Sequence, residues 1–334
     1  MKELLPVLIH VLSISLIISQ DYPKKKFYKR EKHAAKIMGR DDRKYGDHSG
    51  NRVLCRFYNH GSIGDQSSSF SGVYPIGSGH SYIWEFSPVV AASVVDTNGF
   101  RRHIVSDGIS GLVDASPEGT PWSFEPLSGY SNPNQENLAM SDNENSWPSS
   151  WPNRTEDWNR EWNGQYGKYV RADQESYFVV DDRYNSEFEF WPDQNDIPED
   201  PTVSPDEHRR GLGIEMEARG YQWNHPAAED IIIVTYWITN VGSSVLDSVV
   251  FGMYGDADIG GASSFSDDDA WFDTENDMVY QWDHDNWSSS YGGFRPAYFG
   301  WSFLESPGNP HDGIDNDGDG MIDESQFDGI DNDG

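Results

Sequence analysis

Residues 212–219 alternate strictly: Leu212, Ile214, Met216 and Ala218 are apolar, while Gly213, Glu215, Glu217 and Arg219 intervene. Period-two alternation predicts a strand with one face on a core and one toward water. Residues 231–238 (IIIVTYWI) are continuously apolar and rich in β-branched and aromatic side chains. Eight residues are short for a helix and suit a strand covered on both sides. Thr239, Asn240, Val241, Gly242, Ser243 and Ser244 then make a turn, and strand chemistry resumes over 245–254. This unit reads as a β-hairpin or as the step from one sheet of a sandwich to the other.

Shorter candidate strands lie at 53–58, 81–86, 89–95, 102–105, 177–181 and 187–191. No long stretch carries the three-and-four spacing of an amphipathic helix. The pattern predicts an all-β chain: an antiparallel β-sandwich, immunoglobulin-like or jelly-roll-like, in one large or two β-domains. A parallel nucleotide-binding sheet is disfavoured because crossover helices are missing. Residues 115–165 carry six prolines and five tryptophans, an irregular stretch long enough that it should pack on a sheet or bind something. Residues 192–205, with Pro192, Pro198, Pro201 and Pro205 among acids, read as a linker or an extended cover strand. The expected organisation is a leader at 1–20, a basic spacer at 21–50, β-rich domains at 51–200 and 201–305, and an acidic repeat at 306–334.

Charge sharpens this picture. The 334 residues hold 24 Lys and Arg against 56 Asp and Glu, a net charge of −32, so nucleic-acid backbones and anionic membrane surfaces are repelled. Ten basic residues crowd into 24–44, leaving the body strongly acidic behind a short basic arm. The arm reads as a solvated spacer or as a contact for an acidic surface, its own body included. Aromatic content of 14% separates the chain from disordered acidic sequences and argues for a packed core or a stacking surface. The single cysteine, Cys55, rules out an intrachain disulfide and reads as a buried strand residue.

Residues 4–18 (LLPVLIHVLSISLII) are apolar but short, and are broken by Pro6, His10 and serines. They suit the core of a secretory signal with Ser19 near the cut, which predicts export and no membrane insertion after processing. The lysines beyond the segment favour the opposite orientation, so an uncleaved anchor is the rival reading.

The clearest chemistry is at the end of the chain. Asp312, Asp315, Asp317, Asp319, Asp323 and Glu324 crowd among glycines. Two unit charges ~4 Å apart repel by about 4 kcal/mol at an effective dielectric of ~20. A hard divalent cation removes that cost, and Ca²⁺ accepts mixed side-chain, carbonyl and water oxygens. The spacing matches an EF-hand-type Asp-x-Asp-x-Asp-Gly core, in which Asp315, Asp317, Asp319, the Met321 carbonyl and Asp323 are the ligands. Gln326 stands where the bidentate Glu would be, and Glu324 or Asp328 substitutes. Asp328 to Gly334 copies Asp312 to Gly318 and stops mid-motif, the expectation for part of a longer protein. A second cluster, Asp256, Asp258, Asp267, Asp268, Asp269 and Asp273, follows a predicted strand and reads as a metal site or a solvated rim.

Zinc-peptidase, nucleophile-elbow and phosphate-loop motifs are absent. A glycosidase needs only two carboxylates in a cleft; Asp181, Asp182, Glu187 and Glu189 lie near tryptophans, as in any acidic β-protein.

Asp312 to Glu324 resembles the calcium repeats of bacterial surface and secreted proteins, similar to thrombospondin type 3 repeats. Residues 237–242, 251–260, 267–269 and 272–273, with 77–83 and 146–148, resemble large exported β-rich proteins that commonly end in a sorting domain, which this chain lacks. The resemblance implies export, β-domains and calcium, and supplies no catalytic residues. The expected role is structural or adhesive, with glycans or other cell-surface components as partners. The alternative is a carbohydrate-binding module or glycoside hydrolase using Trp122, Trp147, Trp151, Trp158 and Trp162.

Overall fold

A computed structural model describes residues 8–18, 42–64, 71–110, 115–117, 119, 122–195, 197–198, 208–261, 264–274 and 276–305. These residues form an all-β structure in which nearly every pairing is antiparallel.

The strands are β1 (Leu8–Ile18), β2 (Tyr45–His48), β3 (Cys55–Tyr58), β4 (Ile83–Val95), β5 (Arg101–Asp107), β6 (Glu125–Pro126), β7 (Ala139–Met140), β8 (Gln174–Asp181), β9 (Ile214–Gln222), β10 (Ile233–Asn240), β11 (Asp247–Ala257), β12 (Asp268–Asp273), β13 (Met278–Asp283) and β14 (Tyr298–Glu305). The large sheet runs β12-β13-β14-β1-β10-β9-β8-β6, with β7 also on β8; a three-stranded sheet runs β11-β4-β5, and β2 pairs β3.

The alternation read in 212–219 places Leu212, Ile214, Met216 and Ala218 in the main core, each no more than 1% exposed. β10 differs from expectation. Val234, Tyr236 and Ile238 are buried, but Ile233, Thr235 and Trp237 are only half-covered, so this strand has one core face rather than two. The Thr239–Ser244 turn leads from β10, paired with β9, to β11, paired with β4, so the two strands lie in different sheets and form no hairpin. Tyr236 of β10 meets Phe251 of β11 with ring centroids 5.3 Å apart, and Phe86 of β4 meets Phe299 of β14 at 5.2 Å.

The strands expected at 81–86 and 89–95 are one thirteen-residue strand, β4, which Pro88 does not break. Residues 187–191 make bends instead of a strand, because the segment runs into Pro192 and Phe190 and Trp191 turn into the interior. The boundary read at 192–205 falls between β8 and β9, which pair along eight residues, and one apolar core draws on both sides of it.

β8 is buried at all eight positions. Its second face is covered by the Trp- and Pro-rich segment, where Leu127, Tyr130, Trp151 and Trp162 pack on Tyr177 and Val179. The apolar stretch read as a leader contains β1, which lies between β10 and β14.

Candidate metal centre

Three chain segments bring carboxylates to one end of the β12–β13 hairpin. β12 and β13 pair with Asp268 opposite Asp283, so the first residue of one strand and the last of the other share a rung. Asp267 precedes that rung and Asp285 follows it. Asp267, Asp283 and Asp285 each present an oxygen, all within 4.8 Å of one another. The loop after β11 supplies the third side. It turns through Gly260 and Gly261, with φ of +81° and +88°, conformations that favour glycine. At Gly260 a Cβ would lie 2.7 Å from the Ser288 Cβ, so the loop must pass that close to the strand-end turn.

Each carboxylate is differently held. Asp283 is 3% exposed; its Oδ1 accepts the Trp287 N–H at 2.7 Å and its Oδ2 the Ser264 hydroxyl at 2.9 Å. Asp268 Oδ2 accepts the Ile259 N–H at 2.8 Å, while its Oδ1 is buried without a hydrogen-bond partner. Burial pushes the Asp268 carboxyl up to about 7; the Ile259 N–H opposes this, and the charges of Asp283, Asp258 and Asp267 add to it. Burial, with the charge of Asp256, pushes Asp258 up to about 6. Among the described residues no Lys or Arg forms an ion pair with Asp267, Asp268 or Asp283. An all-oxygen donor set of this kind suits a hard cation such as Ca²⁺ rather than zinc or copper.

The six acids read together in the sequence therefore divide. Asp258, Asp267 and Asp268 converge. Asp256 receives the Tyr254 hydroxyl at 3.2 Å, and Asp269 pairs with His284 at 2.6 Å. Asp273 lies at the far end of β12, where it accepts from Asn276 at 2.8 Å. Asp283 and Asp285 were missed; their Asp-x-Asp spacing was visible, but the pairing of β12 with β13 was not. The calcium ligands expected at Asp312, Asp315, Asp317, Asp319, Met321, Asp323 and Glu324 lie outside the described residues.

Two of the carboxylates weighed for glycoside hydrolysis, Asp181 and Asp182, are engaged elsewhere. Asp181 is fully buried and paired with Arg183 at 2.7 Å and Arg209 at 3.1 Å. Asp182, also fully buried and pushed by burial up to about 6, accepts from the Ser106 hydroxyl at 2.9 Å and the N–H groups of Leu212 and Ile214 at 2.6 and 3.1 Å. Trp151 and Trp162 are buried, and Trp122, Trp147 and Trp158 half-buried, so none of the five offers a fully open ring face. On β12 an exposed aromatic, Trp271, lies beside half-buried aromatics of β13 and β14. Trp282 and Tyr298 stack at 5.8 Å, Tyr280 lies 5.5 Å from Trp282, and Trp271, opposite Tyr280, is 65% exposed. Burial pushes the Cys55 thiol up to about 12, which keeps it protonated and unreactive.

Comparison with family models, with curated proteins and with solved structures finds no match to this chain.

Proposed function

We propose that this chain is an exported, calcium-braced β-sandwich region of a surface or secreted protein, with a structural or adhesive role. The observation that carries this reading is the Asp267–Asp283–Asp285 triad beside the buried, unpartnered Asp268 Oδ1. A bound divalent cation offsets the repulsion and gives Asp268 a reason to be ionised where it stands. The tail repeat is a second calcium segment in the same reading, and the apolar leader supports export. The sandwich rests on the facing of β10 with β11 and of β4 with β14 through Tyr236, Phe251, Phe86 and Phe299.

Extracellular calcium sites commonly have Kd of about 10⁻⁴–10⁻³ M. At tenfold excess over Kd, one site adds about 1.4 kcal/mol of stability. Thermal melts of the full chain at millimolar calcium and in EGTA test this: a higher midpoint with calcium is expected, and equal midpoints defeat the reading. A signal-cleavage assay tests export separately, and an uncleaved, membrane-held product defeats it.

A second reading has one observation in its favour. The exposed Trp271, beside the half-buried Tyr280–Trp282–Tyr298 ladder, gives aromatic surface near carboxylates, chemistry that suits the apolar faces and hydroxyls of sugars. Binding on a glycan array that is lost on Trp271→Ala supports a glycan-binding role.

A further inference from the structure

We propose that the gap between β10 and β14 is a strand-acceptor site, held by residues 8–18 in the full chain and, once the leader is removed, by a strand of a partner chain that is apolar at alternate positions. The second half of this proposal rests on the export reading above. β1 differs from its surroundings in direction: it runs parallel to both neighbours, while every other pairing between the named strands is antiparallel. On one side Ser13 to Ile18 stand opposite Ile233 to Ile238 without interruption. On the other, Leu8 to Ser15 stand opposite Tyr298 to Glu305, with shifts after His10 and after Ile14.

Taking this strand away leaves two facing rows of backbone N–H and C=O groups in the middle of the large sheet. The sheet then divides into a β6–β10 block and a β12–β14 block. The β12–β14 block, with its flanking residues, carries Asp267, Asp268, Asp283 and Asp285 of the candidate metal centre. Unpaired backbone groups beside a core are costly, and paired strands on either side leave the gap room for one strand. An extended segment that enters gains the backbone ladder from both edges at once, the physics of strand addition.

The walls define the occupant. Ile14, Leu16 and Ile18 share rungs with Val234, Tyr236 and Ile238, all buried, whereas Ser13, Ser15 and Ile17 share rungs with the half-covered Ile233, Thr235 and Trp237. The partner strand is therefore apolar at every second residue and tolerates small polar residues between, as Ser13-Ile14-Ser15-Leu16 does.

The test uses the full chain with a site-specific protease sequence inserted after Gln20, cut after folding. A fluorescent synthetic peptide of residues 8–18, carrying added lysines for solubility, is the probe. The cut protein is expected to take up one peptide, with a change in Trp237 and Trp301 emission, while the uncut protein excludes it. The Ile14→Asp/Leu16→Asp peptide should bind about tenfold more weakly or worse, because those positions share rungs with the buried Val234 and Tyr236. A cut protein that sheds its leader, keeps its melting temperature and takes no peptide overturns the proposal. If the cut protein unfolds, a disulfide between Ser15→Cys and Thr235→Cys in an uncut Cys55→Ala chain decides: its formation supports a slot that must be filled, and its failure to form overturns it. A leader found uncleaved in cells would defeat the export reading and leave the exchange result standing.

Discussion

Asp268 and Asp283 stand opposite each other on the first rung of the β12–β13 hairpin, with no Lys or Arg paired to either among the described residues. Like charges directly opposite in a sheet are destabilising. The arrangement becomes favourable once a cation or a proton neutralises one of them, and this governs the behaviour expected of the protein.

The proton case gives a pH dependence. Burial holds Asp268 up to about 7 and Asp258 up to about 6, above the ordinary carboxyl value of 3.8. Both bind protons more tightly folded than unfolded, so their contribution to stability is complete below about pH 4 and is lost as pH rises toward 7. In EGTA, Asp268→Asn should melt above the parent at about pH 7.5 and level with it at about pH 4. At millimolar calcium and neutral pH the order should reverse. Melting curves at the two pH values, with and without calcium, check this.

The cation case is tested most cleanly at Asp285 and Asp267, because both are exposed and neither supports the core. The double variant Asp267→Asn/Asp285→Asn should fold normally in EGTA and lose one calcium by titration calorimetry. Its calcium-induced stabilisation should fall by about 1.4 kcal/mol at tenfold excess over Kd. An unchanged stoichiometry would remove the hairpin site and leave any calcium to the tail.

Trp162 is 2% exposed and its indole N–H donates to Glu175 at 2.7 Å. Trp162→Ala should cost about 3–5 kcal/mol in urea unfolding, the range for a large buried aromatic. A loss below about 1 kcal/mol would mean that the Trp-rich segment is not a second core.

Gly211 has φ of +66°, and a Cβ there would collide with the carbonyl oxygen of Asp182. Gly211→Ala should therefore destabilise by about 2 kcal/mol or more, through left-handed backbone strain and displacement of a buried carboxylate network. Urea midpoints check this; a neutral result would show that the Asp182 network yields.

Legibility differed by element for physical reasons. β9 was visible because Leu212, Ile214, Met216 and Ala218 alternate with Gly213, Glu215, Glu217 and Arg219, although its second face is half-covered at the two glutamates and buried at Arg219 instead of wet. β8 was half-visible: the strand read at 177–181 begins earlier, at Gln174 and Glu175, whose polar side chains are buried and held by Trp162, Arg171 and Ser49 N–H groups among others. β12, β13 and β14 went unread because their aromatics mix with acids, Gln281 and Gly300 without a clean period of two, a composition shared with loops. In the candidate site, Asp258, Asp267 and Asp268 were named, but their separation from Asp256, Asp269 and Asp273 depends on which end of a strand each occupies.

Composition and alternation were enough to determine an acidic, aromatic-rich all-β chain with carboxylates in excess of their local counter-charges, because strand periodicity and charge density are properties of neighbouring residues. Which acids meet is decided by strands distant in sequence. Asp258 reaches Asp268 only across the turn after β11, and Asp283 reaches it only through the β12–β13 register. Likewise, nothing local to residues 8–18 indicates a place between β10 and β14. That place exists because two sheet edges, brought together by the rest of the fold, leave their backbone groups unpaired without it.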